Sequence, residues 1–143
     1  MMTERKDPDM FSVNGNELLF EGHTIYKAPF TVHDPISLAE NAVVFSYDPA
    51  GYASRKGYFD LPRSGISEVS DLELINRNVM CVSSAGEVIW RIGLCDQLTT
   101  HADPYNYIYE EKGHWIAVTD RGHECDLDIE TGKVSNTRYF ASR

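Results

Sequence analysis

"NVMCVSSAGEVIWRIG", residues 78–93, decides the fold. Val79 to Val82 is an apolar run, Ser83 to Gly86 supplies turn chemistry, and Val88 to Ile92 resumes the apolar character around Trp90. Two such runs about a glycine-containing turn predict an antiparallel hairpin. "AVTDRGHECDLDIETGKV", residues 117–134, repeats the pattern, with Val118, Thr119 and Gly122 standing where Val82, Ser83 and Gly86 stand before. The match then fades. Trp90 falls opposite Asp126, so the copies share turn chemistry and not a core residue. Hairpins of this kind build β-propeller blades, which repeat at roughly 40–50 residues and need about four copies to close a ring. A chain of 143 residues has no room for one. The reading is mostly β: a single-domain antiparallel meander, an open sheet or small sandwich built of blade-like hairpins.

Outward from this stretch, residues 1–16 read as a disordered lead-in and 17–143 as one β domain. "ELLFEGHTIYKAPFTV" (17–32) suits a hairpin turning at Glu21-Gly22, and "NAVVFSY" (41–47) a buried strand stopped by "DPAG". Between Asp48 and Arg77 no period of 2 or 3.6 is sustained, which predicts a long loop, 48–77. "SEVSDLELI" within it fits a short helix or a strand. Loops of this length often bind something. Beyond residue 93, "YNYIYE" pairs with "HWIAVTD" through "EKG", and "HECDLDI" with "KVSNTRYF" through "ETG". Trp90 and Trp115 lie in apolar strands and are expected to anchor the core.

The order "NV…V…GEVIWRI…DPYNYIY…WIAVTDRG…DLDIETGKV…F", residues 78–140, resembles a class of small bacterial β-proteins with blade-like hairpins. Many of them are encoded beside polymorphic or contact-dependent toxins and are taken to be immunity proteins. The resemblance implies a protein partner, and it brings no catalytic residue and no cofactor.

Charge narrows the partner. Twenty-two acids against 13 bases give −9, which opposes binding to nucleic acid or to an anionic membrane surface. The same field favours encounter with a basic protein. No apolar run approaches the roughly 20 residues that span a bilayer. "MMTERKDPDM" lacks the apolar core of a signal peptide, so a cytoplasmic location is expected. Cys81, Cys95 and Cys125 are odd in number and without C-x-x-C spacing, which suits reduced thiols. His101, His114, His123 and Cys125 show no tight metal-ligand spacing, and neither metal nor cofactor is expected. "PRSGIS" is no nucleophile elbow. Cys95 and His101 come without a visible oxyanion hole or orienting group. A non-enzymatic protein is the expectation.

Two stretches are candidates for a partner surface. In "HECDLDIE", Glu124, Asp126, Asp128 and Glu130 alternate with Cys125, Leu127 and Ile129. A strand would put the acids in a row on one face and the apolar residues on the other. Asp120 adds to them, and from Asp103 to Glu130 eight acids face two bases. Such a row suits docking of a basic partner, a charge-blocked edge strand, or merely a solvated face. Tyr105, Tyr107 and Tyr109 alternate likewise and are expected to share a face, as aromatic contacts at an interface do. The leading expectation is an acidic binding protein that neutralises a basic partner, an immunity protein against a cognate toxin. The alternative is a small-ligand or glycan-binding β-module using the aromatic strand face. Exposed sheet edges also leave room for a homodimer.

Overall fold

The structure, a computed structural model, describes residues 10–38, 42–57, 69–95 and 102–139. His101 and part of the 48–77 segment lie outside the described residues. The chain divides into two compact units, Met1–Asp48 with Val79–Arg91, and Pro49–Asn78 with Ile92–Arg143.

In the first unit β1 (Phe11–Asn14), β2 (Glu17–Phe20) and β3 (His23–Lys27) form a three-stranded antiparallel meander. The β2–β3 turn is made by Glu21 at φ 50° and Gly22 at φ 84°. Two successive positive φ values give the hairpin turn whose twist matches that of the strands it joins. A second sheet runs in the order β4 (Val32–Leu38), β5 (Ala42–Tyr47), β6 (Val79–Ser83), β7 (Val88–Arg91). Its β6–β7 hairpin is the one that residues 78–93 predict, with Cys81 opposite Trp90 and Val82 opposite Val88. The two central strands bury Val43, Val44, Phe45, Met80, Cys81 and Val82 consecutively, the pattern of strands covered on both faces. Part of the cover comes from β3. The Tyr26 ring lies 5.8 Å from that of Phe45, and its hydroxyl donates to Met80 Sδ at 3.5 Å. Trp90 is buried as expected.

Two readings need correction, and one strand, β4, has no counterpart in the sequence reading. β1 lies within the segment read as a disordered lead-in, because Phe11 is buried against the Phe20 ring at 4.9 Å. One ring in four residues of "FSVN" is too little apolar content to show as a strand. β4 carries Pro35 and was hidden by it. Asp34 at φ 51° and a register shift between His33 and Ile36 form a bulge, and a bulged edge strand tolerates a residue without an N–H. The 48–77 segment is not all loop. It holds α1 (Ala50–Arg55) and α2 (Val69–Asn76), where Leu72 and Ile75 cluster with Ala53 and Ala102. α2 falls on "SEVSDLELI", for which a short helix is one of the two readings, and α1 is too short to show a sustained period.

The second unit adds β8 (Tyr105–Glu111), β9 (His114–Thr119), β10 (His123–Leu127) and β11 (Val134–Tyr139) in the order β11-β10-β9-β8. Lys112 at φ 52° and Gly113 at φ 84° repeat the tight turn between β8 and β9. Tyr105, Ala117, Cys125 and Leu127 are buried; Trp115 is only half-buried. Buried Asn78 acts as a substitute backbone. Its Nδ2 donates to Tyr105 O at 3.0 Å, and its Oδ1 accepts from Tyr105 N at 2.8 Å. The fold is mostly β, three open antiparallel sheets of hairpin strands. Among the described residues no helix is long and apolar enough to cross a membrane.

The β6–β7 turn offers a stability test. Gly86 sits at φ 86°, and a Cβ there would collide with the Ile25 carbonyl oxygen, whereas at Gly22, φ 84°, nothing lies within 4 Å. Positive φ alone costs a non-glycine residue roughly 1–2 kcal/mol. Gly22→Ala should lose about that much in chemical denaturation. Gly86→Ala should lose clearly more, and equal losses would contradict the close approach to β3.

Candidate partner-binding face

Pairing across the second unit's sheet creates two rows. Tyr107, Val118, Glu124 and Arg138 stand opposite one another in turn across β8, β9, β10 and β11. Tyr109, Ile116, Asp126 and Ser135 make the next row. Opposed residues share a face, so both phenols, both carboxylates and Arg138 lie on the side away from Cys125 and Leu127. Val118 and Ile116, in the middle of the rows, are buried. Tyr107 is 49% exposed, and its ring centroid stands 6.0 Å from that of Tyr109 with planes at 34°. Burial first, and then the Glu124 and Glu111 carboxylates, push the Tyr109 phenol above its ordinary range.

Arg138 bridges the two acids. Its Nη2 lies 3.0 Å from Glu124 Oε2 and its Nη1 2.9 Å from Asp126 Oδ1. Nη1 also donates to Asn136 O at 2.8 Å, and Asn136 Nδ2 donates to Asp126 Oδ2 at 2.7 Å. The Asn136 and Arg138 hydrogen bonds hold the Asp126 carboxyl below the usual carboxylate range. A guanidinium so engaged is fixed in plane.

The predicted row of four carboxylates does not exist as a row. β10 ends at Leu127, and Asp128 and Glu130 belong to the turn that follows. Asp128 Oδ1 accepts the Glu130 N–H at 3.0 Å, and Asp128 O accepts the Gly132 N–H at 2.7 Å. Aspartate at such a position makes its own turn contacts instead of extending a strand. Nor is β10 an edge strand, since β11 covers it. Asp120 lies exposed in the β9–β10 turn, at the other end of these strands. The tyrosine stripe is broken as well. A register shift between Tyr105 and Tyr107 turns Tyr105 to the core side, where it is buried and donates its hydroxyl to Gly93 O at 2.6 Å.

A polar hub went unrecognised in the sequence. Buried Asp103 accepts the Arg121 N–H at 2.7 Å through Oδ1, and its Oδ2 shares a hydrogen bond with His123 Nδ1 at 3.0 Å. His123 also stacks on Tyr139, centroids 4.8 Å apart. Asn76 Oδ1 accepts the Asp103 N–H at 2.6 Å. Burial drives the Asp103 carboxyl above its ordinary range against the opposing pull of Arg121, Thr119 and His123. Among the described residues no group of three or more His, Cys, Asp or Glu is placed to hold a metal.

The family described as "Domain of unknown function (DUF7957)" matches residues 66–139, more than half of the sequence. The chain belongs to this family. The DUF7957 match ends at the last residue of β11, so it includes both rows, the Asp103 hub and the residues 78–93 hairpin. No curated protein matches the chain. Among solved structures, a crystal structure of the computationally designed Ika8 protein is similar at 12% identity and a TM-score of 0.35. The similarity covers 93% of this chain and 47% of that one. This chain thus spans about half of that structure, and so distant a likeness carries no argument.

The two aspartates should titrate in opposite directions. Asp103, raised on folding, contributes stability that is complete below the ordinary aspartate range and is lost as pH rises through its folded value. Asp126, lowered, contributes stability that is present above the ordinary range and is lost as pH falls through its folded value. Carboxyl-carbon NMR should find Asp103 titrating late and Asp126 early. Arg138→Ala should move Asp126 back toward ordinary values while leaving Asp103 in place.

Proposed function

We propose that this chain is a non-enzymatic binding protein that neutralises a basic protein partner, as an immunity protein does its cognate toxin. The observation that carries this reading is the joint presentation of exposed Tyr107, half-buried Tyr109 and a clamped Arg138 on one sheet face. Tyrosine and arginine dominate interface hot spots. Side chains already held by neighbours lose less freedom on binding. Glu124 and Asp126 then act as the frame that fixes Arg138, not as bare contacts for partner cations. That contact falls to exposed acids around the face, Glu111, Asp120, Asp128 and Glu130. The formal charge of −9 steers the encounter. Neutralisation works by occlusion, with the partner's lysines and arginines covered.

A second reading, a glycan-binding module, draws on the same paired phenols. Asp126, Asn136 and Arg138 would meet sugar hydroxyls beside a ring stacked on Tyr107.

The test begins with capture of a basic partner from the native cell and measurement of its binding by biolayer interferometry. Tyr107→Ala should weaken affinity by about tenfold or more, the loss of a hot-spot side chain. Asp128→Lys with Glu130→Lys should slow association, with the difference vanishing at high salt. A glycan that raises the melting temperature, with no protein captured, would establish the second reading in place of the first.

A further inference from the structure

The core side of the second unit holds two thiols that the binding face does not use. Cys95 and Cys125 are both free and buried, at 6% and 0% exposure. Strand pairing explains why they meet. Glu124 pairs with Arg138 and Asp126 with Ser135, so the bulge leaves Asn136 and Thr137 opposite Cys125. Thr137 reaches the segment after Ile92: its hydroxyl donates to Cys95 O and lies 4.0 Å from Cys95 Sγ. At the other end of that segment the Gly93 N–H donates to Gly132 O at 3.0 Å, and Gly93 O takes the Tyr105 hydroxyl. Residues 93–95 are thus strapped along the β10–β11 hairpin, with Cys95 against Cys125. The two side chains hydrogen-bond each other, and the Tyr105 hydroxyl contacts Cys125 as well.

We propose that Cys95 and Cys125 form an oxidisable pair that closes to an intramolecular disulfide when the protein meets a peroxide. The first thiol's sulfur attacks one peroxide oxygen, the O–O bond breaks, and the thiol proton leaves with the released hydroxide as water. The sulfenic acid that results is attacked by the second sulfur. The S–S bond forms, the S–O bond breaks, and the second thiol proton leaves with hydroxide as another water. Two electrons pass from the sulfurs to one equivalent of hydrogen peroxide. The contact also favours ionisation of one member: the hydrogen bond from Cys95 lowers Cys125, while it and burial hold Cys95 protonated. Cys81 is the internal control. It lies on β6 in the first unit, with its thiol pushed up to about 11 by burial, and a thiol so poorly ionised reacts slowly.

The sequence makes the test direct. Trypsin cuts at Arg77, Arg91, Lys112, Arg121 and Lys133, which places the three cysteines in three separate peptides. The folded full chain is treated with hydrogen peroxide, then unfolded, alkylated and digested without reductant. The expected result is a linked pair of Cys95 and Cys125 peptides, abolished by dithiothreitol, with Cys81 recovered alkylated. Cys81→Ala should keep the link and Cys125→Ala should lose it. If Cys125→Ala does not fold, the wild-type peptide map decides alone. Separate alkylation of Cys95 and Cys125, oxidation of either without a link, or a link through Cys81 would overturn the pair.

Discussion

The pairing of β10 with β11 is the constraint on which the second unit's surface and interior both depend. It is closed by a short turn in which Asp128 donates its N–H to Lys133 O at 2.8 Å and accepts the Gly132 N–H at 2.7 Å. From that turn the register runs out to Glu124 opposite Arg138 and His123 opposite Tyr139. A one-residue slip would send every side chain of β11 to the other face. Arg138 would leave its carboxylates and Thr137 would leave Cys95. The extra residue in β11 therefore sets the geometry on both sides of the sheet. Asn136 adopts φ 54° there, a value that asparagine tolerates better than most residues.

The same bulge has a second consequence. β11 is an edge strand, and an edge presents unpaired backbone groups to any other chain. A kink in mid-strand spoils that template. β4, an edge strand of the first unit, is blunted in the same way by Pro35 and the bulge at Asp34. Neither edge depends on a row of like charges, the device that the acid-rich sequence had suggested. Charge serves elsewhere: Arg138 takes up two of the four carboxylates, and the remaining exposed acids sit mainly in turns.

Polar burial in the second unit follows one rule, that a desolvated group must find a partner. Asn76, Asn78, Asp103 and Thr119 are buried in the described structure, and no buried side-chain nitrogen or oxygen described there lacks a hydrogen bond. These groups tie the chain after α2 to the start of β8 and to the β9–β10 turn. Asp103 bears the heaviest cost as a buried carboxylate, offset by the backbone N–H of Arg121 and the ring of His123. Such a network specifies one arrangement more sharply than apolar contact does.

The sequence by itself determined the hairpins. Glycine turns between apolar runs identified β2–β3, β6–β7, β8–β9 and β10–β11, because positive φ and strand periodicity are local properties. Alternation also located Tyr107, Tyr109, Glu124 and Asp126, which share one face of the sheet. The partners of those residues were decided only by tertiary structure. Whether Glu124 is bare or bridged depends on which residue lies across the sheet, and the bulge at Asn136 sets that. Tyr105 and Tyr107 point to opposite sides because a register shift separates them, which strict alternation cannot foresee. The packing of Ala53 in α1 against Leu72 and Ile75 in α2, the hub at Asp103 and the meeting of Cys95 with Cys125 join residues far apart in the chain. Contacts of that kind leave no periodic mark in the sequence, since they are made by packing and not by the local backbone.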